Sequence, residues 1–395
     1  MLIRNLCEAV FFASCGIVLY NYAGYAFLAM LLPPYGKKKR RAAEAGGPLP
    51  SVSFIVAAFN EEDLIAKKIL NSVGQQYPGG EIEFIFVTDG SSDSTPSIVA
   101  GYPSVLLLHA AQRKGKAAAM NRAVGAAKGE VLIFSDANTM LNPEAVMTIA
   151  RHYADPAVGG VAGEKKVIGG DAGAPGEGEG LYWQYESLLK KIDSRCYSVV
   201  GAAGELFSLR KGLYTVLPEN TVLDDFVLSL RVAQRGFRVL YEPGAYAMEL
   251  PSFSYREEQK RKVRIAAGGF QSIVMLKGLF LFWRHPRLSF LYISHRVLRW
   301  TLSPLCLILA FLSNFVLCFV EDGAVFPVLF ALQVAFYGMA LLGGRGKTGN
   351  KLFKIPYYFA FMNVSVVLGF FRFLGGRQTA LWEKAKRAGA GIAAE

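Results

Sequence analysis

The stretch SVSFIVAAFNEE, residues 51–62, decides the fold of this chain, because it leads from an apolar run directly into an acidic loop. An unbroken run of β-branched and apolar residues is typical of a strand that is buried on both faces. The residues that follow, EEDLIAKKILNSVGQQ at 61–76, have the apolar spacing of a helix. A strand, a turn and a helix in this order predict the start of an α/β domain.

The same order repeats further along the chain. Strand-like apolar runs occur at EIEFIFVTD (residues 81–89), VLLLHA (residues 105–110) and EVLIFSD (residues 130–136). The segment KAAAMNRAVGAAKG, residues 116–129, has helical spacing. Strands that alternate with helices predict a mostly parallel sheet covered by helices.

Polar side chains follow the predicted strands at their carboxyl ends. In open α/β sheets, ligands bind just beyond these ends of the strands. The side chains at this edge are those of Asn60, Glu61, Asp89 and Asp136. A single acid at the end of a strand usually caps a turn, so each acid taken alone is a weak indication of a site.

A further acidic feature lies in NTVLDDFVLSLRVAQRG, residues 220–236, where Asp224 and Asp225 stand side by side before a helical run. A helix N-terminus favours a carboxylate, because its first backbone N–H groups are free and its dipole is positive there. One acid satisfies that preference, and this helix has two. Asp224 is therefore either a helix cap or part of a site. In the second case its charge is expected to raise the pKa of Asp225.

The composition indicates a chain that is partly embedded in a membrane. Of the 395 residues, 52% are hydrophobic and 19% are charged, whereas soluble proteins average about 25% charged residues. The formal net charge is +12, but no nucleic-acid-binding motif accompanies it, so nucleic acid is not an expected partner. The five cysteines form no C-x-x-C pair, which argues against a zinc site.

Uncharged segments long enough to cross a bilayer lie at both ends of the chain. Residues 9–32 carry no charge and precede the basic cluster KKKRR at residues 37–41, which is expected to stay on the cytoplasmic side. Residues 301–320 and 324–343 are expected to cross out and back. Residues 355–371 are also uncharged but shorter, and basic residues on both sides leave open whether this segment crosses or lies at the interface.

Between the soluble part and the later apolar segments, the chain is amphipathic, basic and aromatic, which favours contact with a membrane surface. Arg296 and Arg299 are expected to extend toward lipid head groups from this region. The sequence therefore predicts an N-terminal transmembrane helix (1–36), a basic linker (37–50), a cytosolic α/β domain (51–250), amphipathic interfacial helices (251–299), a C-terminal transmembrane region (300–375) and a basic tail (376–395).

Seven short motifs occur in an order that resembles family 2 glycosyltransferases of the GT-A fold, in their membrane-embedded cellulose-synthase-like branch. The motifs are VAAFNEE (56–62), VTDGSSDST (87–95), RKGKAAAMN (113–121), FSDANT (134–139), GAAGELFSLRK (201–211), LDD (223–225) and RKVRIAAGG (261–269). The resemblance implies a Rossmann-like GT-A domain in the cytosol, flanked by transmembrane and interfacial helices. It also implies a multi-pass protein of the inner (cell) membrane.

The resemblance implies three groups of site residues. In the catalytic group, Asp225 corresponds to the general base, with Asp224 and Arg264 beside it. The nucleotide-binding group consists of Ala57, Asn60, Glu61, Asp89, Lys116 and Asp136. The acceptor-binding group consists of Gly204, Glu205, Arg261 and Trp183. For Trp183, packing in the core is the alternative to stacking on a sugar ring.

Two motifs depart from the family pattern. At the D-x-D position, Asp136 and Asn138 are the expected ligands of a divalent cation, Mg²⁺ or Mn²⁺. Because Asn138 supplies an oxygen without a charge, a weak metal site is expected. At the Q-x-x-R-W position, Arg264 is present, but Ile265 stands where the family has tryptophan. In processive relatives that tryptophan stacks on the acceptor sugar.

The resemblance implies an inverting hexosyl- or N-acetylhexosaminyl-transferase that uses a UDP-sugar. Its acceptor is either a growing β-linked surface polysaccharide or a lipid carrier or lipid head group. The C-terminal membrane segments favour the polysaccharide, and the missing tryptophan favours single transfer to a lipid. A scaffold that binds nucleotide-sugar without catalysis is a third alternative, and the intact Asp89, Asp136, Asp225 and Arg264 argue against it.

Overall fold

A computed structural model describes residues 1–36, 48–167, 176–250, 254–344, 350–376 and 381, with the backbone alone for residues 176–181. The strands are β1 Val52–Ala58, β2 Ile82–Asp89, β3 Leu106–Ala110, β4 Val131–Asp136, β5 Met140–Leu141, β6 Val158–Val167, β7 Leu206–Arg210 and β8 Arg238–Glu249. They form one eight-stranded sheet in the order β3-β2-β1-β4-β7-β6-β8-β5.

Helices precede, cover and follow this sheet. They are α1 Leu2–Leu19, α2 Tyr25–Leu31, α3 Ile65–Val73, α4 Thr95–Ala100, α5 Lys116–Ala126, α6 Ala145–Ala150, α7 Gly176–Cys196, α8 Asp224–Gln234, α9 Tyr255–Met275, α10 Pro286–Tyr292, α11 Leu298–Trp300, α12 Leu302–Val320, α13 Val325–Gly344 and α14 Lys351–Leu374. Single π-helical turns, Tyr20–Gly24 and Ile293–Val297, join α1 to α2 and α10 to α11. The four strands and two helices predicted from the sequence are confirmed.

The expectation of a mostly parallel sheet is correct for the first four strands and for the pair β6 and β8, which also run in parallel, but not for the other pairings. β1 pairs in parallel with β2 and β4, and β2 pairs in parallel with β3. β7 then runs antiparallel to both β4 and β6, and β5 runs antiparallel to β8. The sheet is therefore mixed. Hydrophobic patterns show that a segment is a buried strand, but they contain no information on its direction.

The sheet is covered on both faces, which explains why every residue of β1 except Ser53 is apolar. Phe54 and Val56 pack with Ile65 and Ile69 of α3 on one face. Ile55 packs with residues of α5 on the opposite face. Each residue of the strand therefore contacts a hydrophobic layer, and burial of such side chains contributes roughly 1.5–3 kcal/mol each.

Among the described residues, four helical segments are long and apolar enough to cross a membrane. They are Leu2–Leu31, Leu302–Val320, Val325–Gly344 and Lys351–Leu374. The segment 355–371, whose role the sequence left open, is the central part of the 24-residue helix α14. α1 packs on α12 through a small apolar cluster that includes Phe11, Ala310 and Leu317.

Arg296 and Arg299 do not extend toward lipid, so that expectation was wrong. Both guanidinium groups donate hydrogen bonds to the buried Glu186 of α7, at 2.7 and 2.5 Å. A buried carboxylate favours such partners, because an unpaired charge in the protein interior is costly. The sequence pattern did not reveal Glu186 as their partner, since it lies more than 100 residues away in the chain.

Two predicted segments fall largely outside the described residues. The basic cluster at 37–41 lies in the undescribed range 37–47, and only Leu381 is described beyond residue 376. The predicted division into six parts stays a prediction. Residues 251–299, which are predicted to be interfacial, contain α9 and α10, and α11 extends from this range to Trp300.

Candidate active site

The candidate site lies at the edge of the sheet where β1, β2 and β4 end. In the register of these parallel strands, Ala57 lies beside Asp136. Asp89 is the last residue of β2, on the other side of β1. The shared direction of the three strands therefore brings their polar ends together, as the sequence predicted.

The antiparallel strand β7 begins at this edge, so the residues just before it contribute to the site. Leu206 lies opposite Ser135 of β4, so the chain just before β7 reaches the same edge. Gly204 and Glu205 lie in this short segment. The Ser135 hydroxyl donates a hydrogen bond of 3.0 Å to the Glu205 carbonyl, which fixes the segment against β4.

The loop after β1 is tied to the loop after β2. Asn60 has a φ of +54°, a conformation that asparagine tolerates better than most residues. Its side-chain oxygen accepts a hydrogen bond of 2.8 Å from the Ser92 backbone N–H. The Glu61 backbone N–H donates to the Thr95 hydroxyl at 2.8 Å. Asn60 and Glu61 thus shape the rim of the site.

Asp89 is fully buried, and both of its carboxylate oxygens have partners inside the protein. One oxygen accepts hydrogen bonds from the backbone N–H groups of Lys114 and Gly115, at 3.0 and 2.6 Å. The other lies 3.3 Å from the guanidinium of Arg122. Asp89 therefore fixes the turn from which α5 begins. A contact between Asp89 and a nucleotide base stays a prediction.

Lys116 is the first residue of α5 and extends into a group of acids. Its ammonium lies 2.6 Å from Asp136 Oδ1 and 3.9 Å from Asp224 Oδ2. Burial acts to lower the pKa of Lys116, but the Asp136, Asp224 and Asp225 carboxylates outweigh it and hold the pKa above its ordinary value. Lys116 is therefore a permanent cation at this edge.

Asp224 and Asp225 begin α8 beside this lysine. Asp224 is buried, and its Oδ2 has no hydrogen-bond partner among the described residues. Burial, followed by the negative charge of Asp224, raises the pKa of Asp225 to about 7. This is the effect expected from the two adjacent acids. A Cβ on Gly204 would lie 3.0 Å from Lys116 Nζ and 3.5 Å from Asp225 Oδ2, so any side chain there would crowd the lysine.

Arg264 of α9 approaches the same acids. Burial lowers its pKa, and the charges of Asp224 and Asp136 oppose that effect. In the part of the chain that the structure describes, the Arg264 guanidinium makes no hydrogen bond and no ion pair within 4 Å. A cation with unused donors close to a carboxylate-lined edge suits an anionic ligand.

The predicted acceptor residues lie next to this group and are joined by a buried lysine. Lys165 of β6 lies 2.7 Å from the Glu205 carboxylate and also forms an ion pair with Glu249. Burial acts to raise the pKa of Glu205, but Lys165 holds it well below its ordinary value. Arg261 lies 3.8 Å from Glu249. Glu205 and Arg261 therefore belong to one ionic network.

Trp183 packs against positive charges. The ammonium groups of Lys165, Lys262 and Lys190 lie 5.0, 5.5 and 5.6 Å from the ring centre. Such contacts stabilise both partners, since an aromatic face attracts a cation. They support the packing alternative for Trp183, and stacking on an acceptor sugar stays a prediction.

The sequence did not single out Lys165, Glu249 or Lys68. Lys68 of α3 is fully buried and donates hydrogen bonds to the Ser135 hydroxyl and the Thr139 carbonyl, at 2.7 and 2.8 Å. Its two hydrogen bonds therefore hold the end of β4 and the turn that follows it in place. A helical wheel gives the missing signal, because Lys68 falls on the same face as the buried Ile65 and Ile69.

The metal ligands expected from the sequence are Asp136 and Asn138. Within the described ranges, no group of three His, Cys, Asp or Glu side chains is placed to hold a metal. A carboxylate and an amide oxygen nevertheless suit Mg²⁺ or Mn²⁺ when substrate phosphates supply further ligands. In the structure, Asp136 Oδ1 accepts a hydrogen bond from Lys116.

Comparison with known proteins agrees with this geometry. Residues 53–216 match the family model described as Glycosyl transferase family 2. The poly-beta-1,6-N-acetyl-D-glucosamine synthase of Staphylococcus aureus (strain MSSA476) is 26% identical over 247 residues, covering 59% of this chain and 57% of that protein. The beta-monoglucosyldiacylglycerol synthase of Trichormus variabilis is 28% identical, covering 50% of this chain and 44% of that protein. The chain thus spans little more than half the length of the first of these relatives, and less of the second.

A solved structure matches nearly the whole chain. The mannosyltransferase PcManGT from Pyrobaculum calidifontis, in complex with GDP-Man and Mn²⁺, superposes with a TM-score of 0.72 at 21% identity. The match covers 95% of this chain and 99% of that one, so the shared fold includes the flanking helices. Residues 53–216 therefore lie in a family 2 glycosyltransferase domain of the GT-A fold, within a chain whose terminal helices include several apolar enough to span a membrane.

Proposed function

We propose that this protein is an inverting membrane glycosyltransferase that moves a hexosyl or N-acetylhexosaminyl group from a UDP-sugar to a hydroxyl acceptor. The observation that carries the proposal is the pairing of Asp225 with Lys116 around Gly204. A Cβ at Gly204 would contact both side chains, at 3.5 and 3.0 Å. A base for the acceptor and a cation for the leaving group therefore face one small space at the carboxyl edge of the sheet.

Asp225 is the proposed general base. It accepts the proton of the acceptor hydroxyl, and the oxygen of that hydroxyl attacks the anomeric carbon of the donor sugar. The bond from the anomeric carbon to the diphosphate oxygen breaks, and the nucleoside diphosphate leaves with the bonding electrons. Attack from the side opposite the diphosphate inverts the anomeric centre. A pKa of about 7 suits this role, since a base is most effective when its pKa is near the working pH.

The departing diphosphate needs positive charge rather than a proton. Lys116 and Arg264 are the proposed protein cations, because both lie beside the acids of the site. A divalent cation, Mg²⁺ or Mn²⁺, is the proposed cofactor, and Asp136 and Asn138 would hold it. When bound, it would neutralise charge on the phosphate oxygens. Ala57, Asn60, Glu61 and Asp89 are proposed to frame the nucleotide.

The proposal names a chemical class for the sugar donor and for the acceptor. The bacterial relatives are named for a polymer of N-acetylglucosamine and for a glucosyl lipid, which supports a hexosyl or N-acetylhexosaminyl donor. The fold neighbour binds GDP-Man, so a donor panel has to include GDP-sugars beside UDP-sugars. Glu205, Arg261 and Trp183 are proposed to lie on the acceptor side, next to Gly204.

Two acceptors fit this reaction. Extension of a β-linked surface polysaccharide is supported by the polymer synthase among the relatives and by the membrane helices after α9. Transfer of one sugar to a lipid is supported by the glycolipid synthase and by Ile265, which replaces the expected tryptophan. We place the catalytic domain at the cytoplasmic face of the cell membrane, following the basic residues beside the apolar segments.

The test is turnover by the purified full-length protein with radiolabelled UDP- and GDP-sugars, membrane lipids and Mn²⁺. Asp225→Asn is expected to lower kcat by about 10²–10⁴-fold, because it removes the base, while nucleotide affinity changes by less than about threefold. Asp155→Asn, a change in the turn before β6, is the matched control and is expected to keep activity. Full turnover by Asp225→Asn would contradict the proposal.

A further inference from the structure

A groove separates α9 from α14 close to the candidate site. Its volume is about 680 Å³, and its lining residues are Val263, Leu368, Phe371, Arg372 and Gly375. Val263 precedes Arg264 in α9, so the groove and the catalytic edge are reached from the same turn of that helix. The other lining residues lie at the C-terminal end of α14, a helix apolar enough to cross a membrane.

One wall of the groove is apolar and accessible. Leu368 is 44% exposed and Phe371 is 63% exposed. Exposed apolar side chains on a candidate membrane helix are suited to contact with hydrocarbon chains rather than water. The wall therefore offers space along which one lipid chain can lie.

The same groove contains Arg372, a cation without an acidic partner among the described residues. In the described part of the chain, Arg372 forms no hydrogen bond and no ion pair within 4 Å. Its charge adds to that of Arg261 in lowering the pKa of Arg264, after the larger effect of burial. Arg372 lines the groove together with Val263, the residue before Arg264, so both arginines belong to this part of the α9–α14 contact. An anion beside them would neutralise positive charge and accept hydrogen bonds from their donors.

The two helices that border the groove are in close backbone contact at Gly369 of α14. A Cβ on Gly369 would lie 2.5 Å from Ala266 Cβ and 3.0 Å from the Val263 carbonyl oxygen. α9 and α14 therefore approach each other as closely as the backbones permit at this point.

We propose that this groove binds a lipid with a phosphate-bearing head group, with the chain along Leu368 and Phe371 and the phosphate on Arg372, and that this lipid is the sugar acceptor. The inference rests on the proposed function, because a hydroxyl of the head group beyond the phosphate has to reach Asp225. Of the two acceptors proposed above, this inference favours the lipid. The positive charge of Arg372 is the reason for proposing a phosphate, and the exposed apolar wall is the reason for proposing a hydrocarbon chain.

The experiment measures equilibrium binding of three probes to the purified full-length protein in detergent. Farnesyl phosphate has both the chain and the anion, farnesol has only the chain, and inorganic phosphate has only the anion. Farnesyl phosphate is expected to bind at least about tenfold more tightly than either of the others. Arg372→Ala is expected to weaken it by about tenfold or more, since a charge-assisted contact is lost. Leu368→Trp, which fills the groove, is expected to weaken it likewise.

The matched control is Arg284→Ala, which removes the same charge from an exposed position outside the groove. It is expected to leave the binding of farnesyl phosphate unchanged. Equal binding of farnesyl phosphate by wild type and Arg372→Ala would overturn the inference. So would equal affinity for inorganic phosphate, which would indicate a free-anion site, or for farnesol, which would indicate a purely apolar groove. Binding of UDP and GDP, measured on the same samples, tests the proposed function separately.

Discussion

Asp225 owes its properties to its immediate surroundings. It is partly buried at the start of α8, and its neighbour Asp224 lies deeper, with one carboxylate oxygen that has no hydrogen-bond partner in the described structure. Two carboxylates at one helix end resist ionising together. Lys116 limits this effect, because its ammonium lies 3.9 Å from Asp224. Asp225 therefore gains and loses its proton near neutral pH.

The pH dependence of turnover follows from this adjustment. A base acts only when deprotonated, so kcat/KM is expected to rise with pH up to about 7, the raised pKa of Asp225, and then to level off. Asp224→Asn removes the second-largest cause of the raised pKa, after burial. The rising part of its pH profile is therefore expected to move to lower pH. Initial rates across pH 5–9 would measure the profiles of the wild type and of Asp224→Asn. If the two profiles rise over the same pH range, Asp224 does not raise the pKa of Asp225.

Gly204 supports a second prediction at the residue scale. A Cβ there would lie 3.0 Å from Lys116 Nζ, so Gly204→Ala is expected to displace the lysine from Asp136 and to lower kcat/KM by about tenfold or more. Gly212→Ala is the matched control, since a Cβ at Gly212 has no heavy atom within 4 Å. The measurement is turnover of Gly204→Ala and Gly212→Ala relative to wild type. Equal activity of the two variants would contradict the expected crowding of Lys116.

At the scale of elements, strand direction determines which residues meet. β4 ends at the site and β7 begins there, because the two strands are antiparallel. This arrangement brings the segment before β7, with Gly204 and Glu205, to Asp136 although nearly 70 residues separate them. β6 runs in the same direction as β8, so their later residues, Lys165 and Glu249, also meet near this edge.

The α9–α14 contact provides a prediction at this scale. Gly369→Ala is expected to destabilise the protein by about 1–3 kcal/mol, because the added methyl group meets the α9 backbone, including Ala267 N at 2.9 Å. Gly338→Ala in α13 is the control, since a Cβ there has no heavy atom within 4 Å. Thermal unfolding of both variants in the same detergent would measure the difference. A melting temperature for Gly369→Ala at or above that of Gly338→Ala would contradict tight helix packing.

At the scale of the whole molecule, the sequence predicted what depends on local pattern and order. The strands β1 to β4, the helix α5 and the apolar helices follow from hydrophobic spacing, and the acids at one edge follow from parallel pairing. The direction of β7, the burial of Lys165 and the partner of Arg296 depend on contacts between distant segments. Periodicity contains no information on such contacts, so Arg296 was expected at the lipid surface.

The junction between the membrane helices and the catalytic domain is one such long-range contact. Glu186 of α7 is buried, with Arg296 and Arg299 at 2.7 and 2.5 Å and His295 at 3.6 Å. His295 also lies 2.7 Å from the buried Asp193, which accepts a hydrogen bond from Tyr25 of α2. This group of charges therefore links the N-terminal apolar helix, α7 and the segment that leads into α12.

Removal of Glu186 is the final prediction, because it tests whether this junction holds the molecule together. Glu186→Gln removes the carboxylate partner of the buried Arg299 and of the partly buried Arg296, and is expected to cost about 3–5 kcal/mol of folding free energy. Glu219→Gln is the control, since Glu219 is 61% exposed and its pairing with Lys114, at 3.6 Å, is a surface contact worth about 0–1 kcal/mol. Thermal unfolding of the two variants in one detergent would compare them. Equal melting temperatures would show that the charge of Glu186 contributes no more to stability than a surface pair, and would contradict its role in this junction.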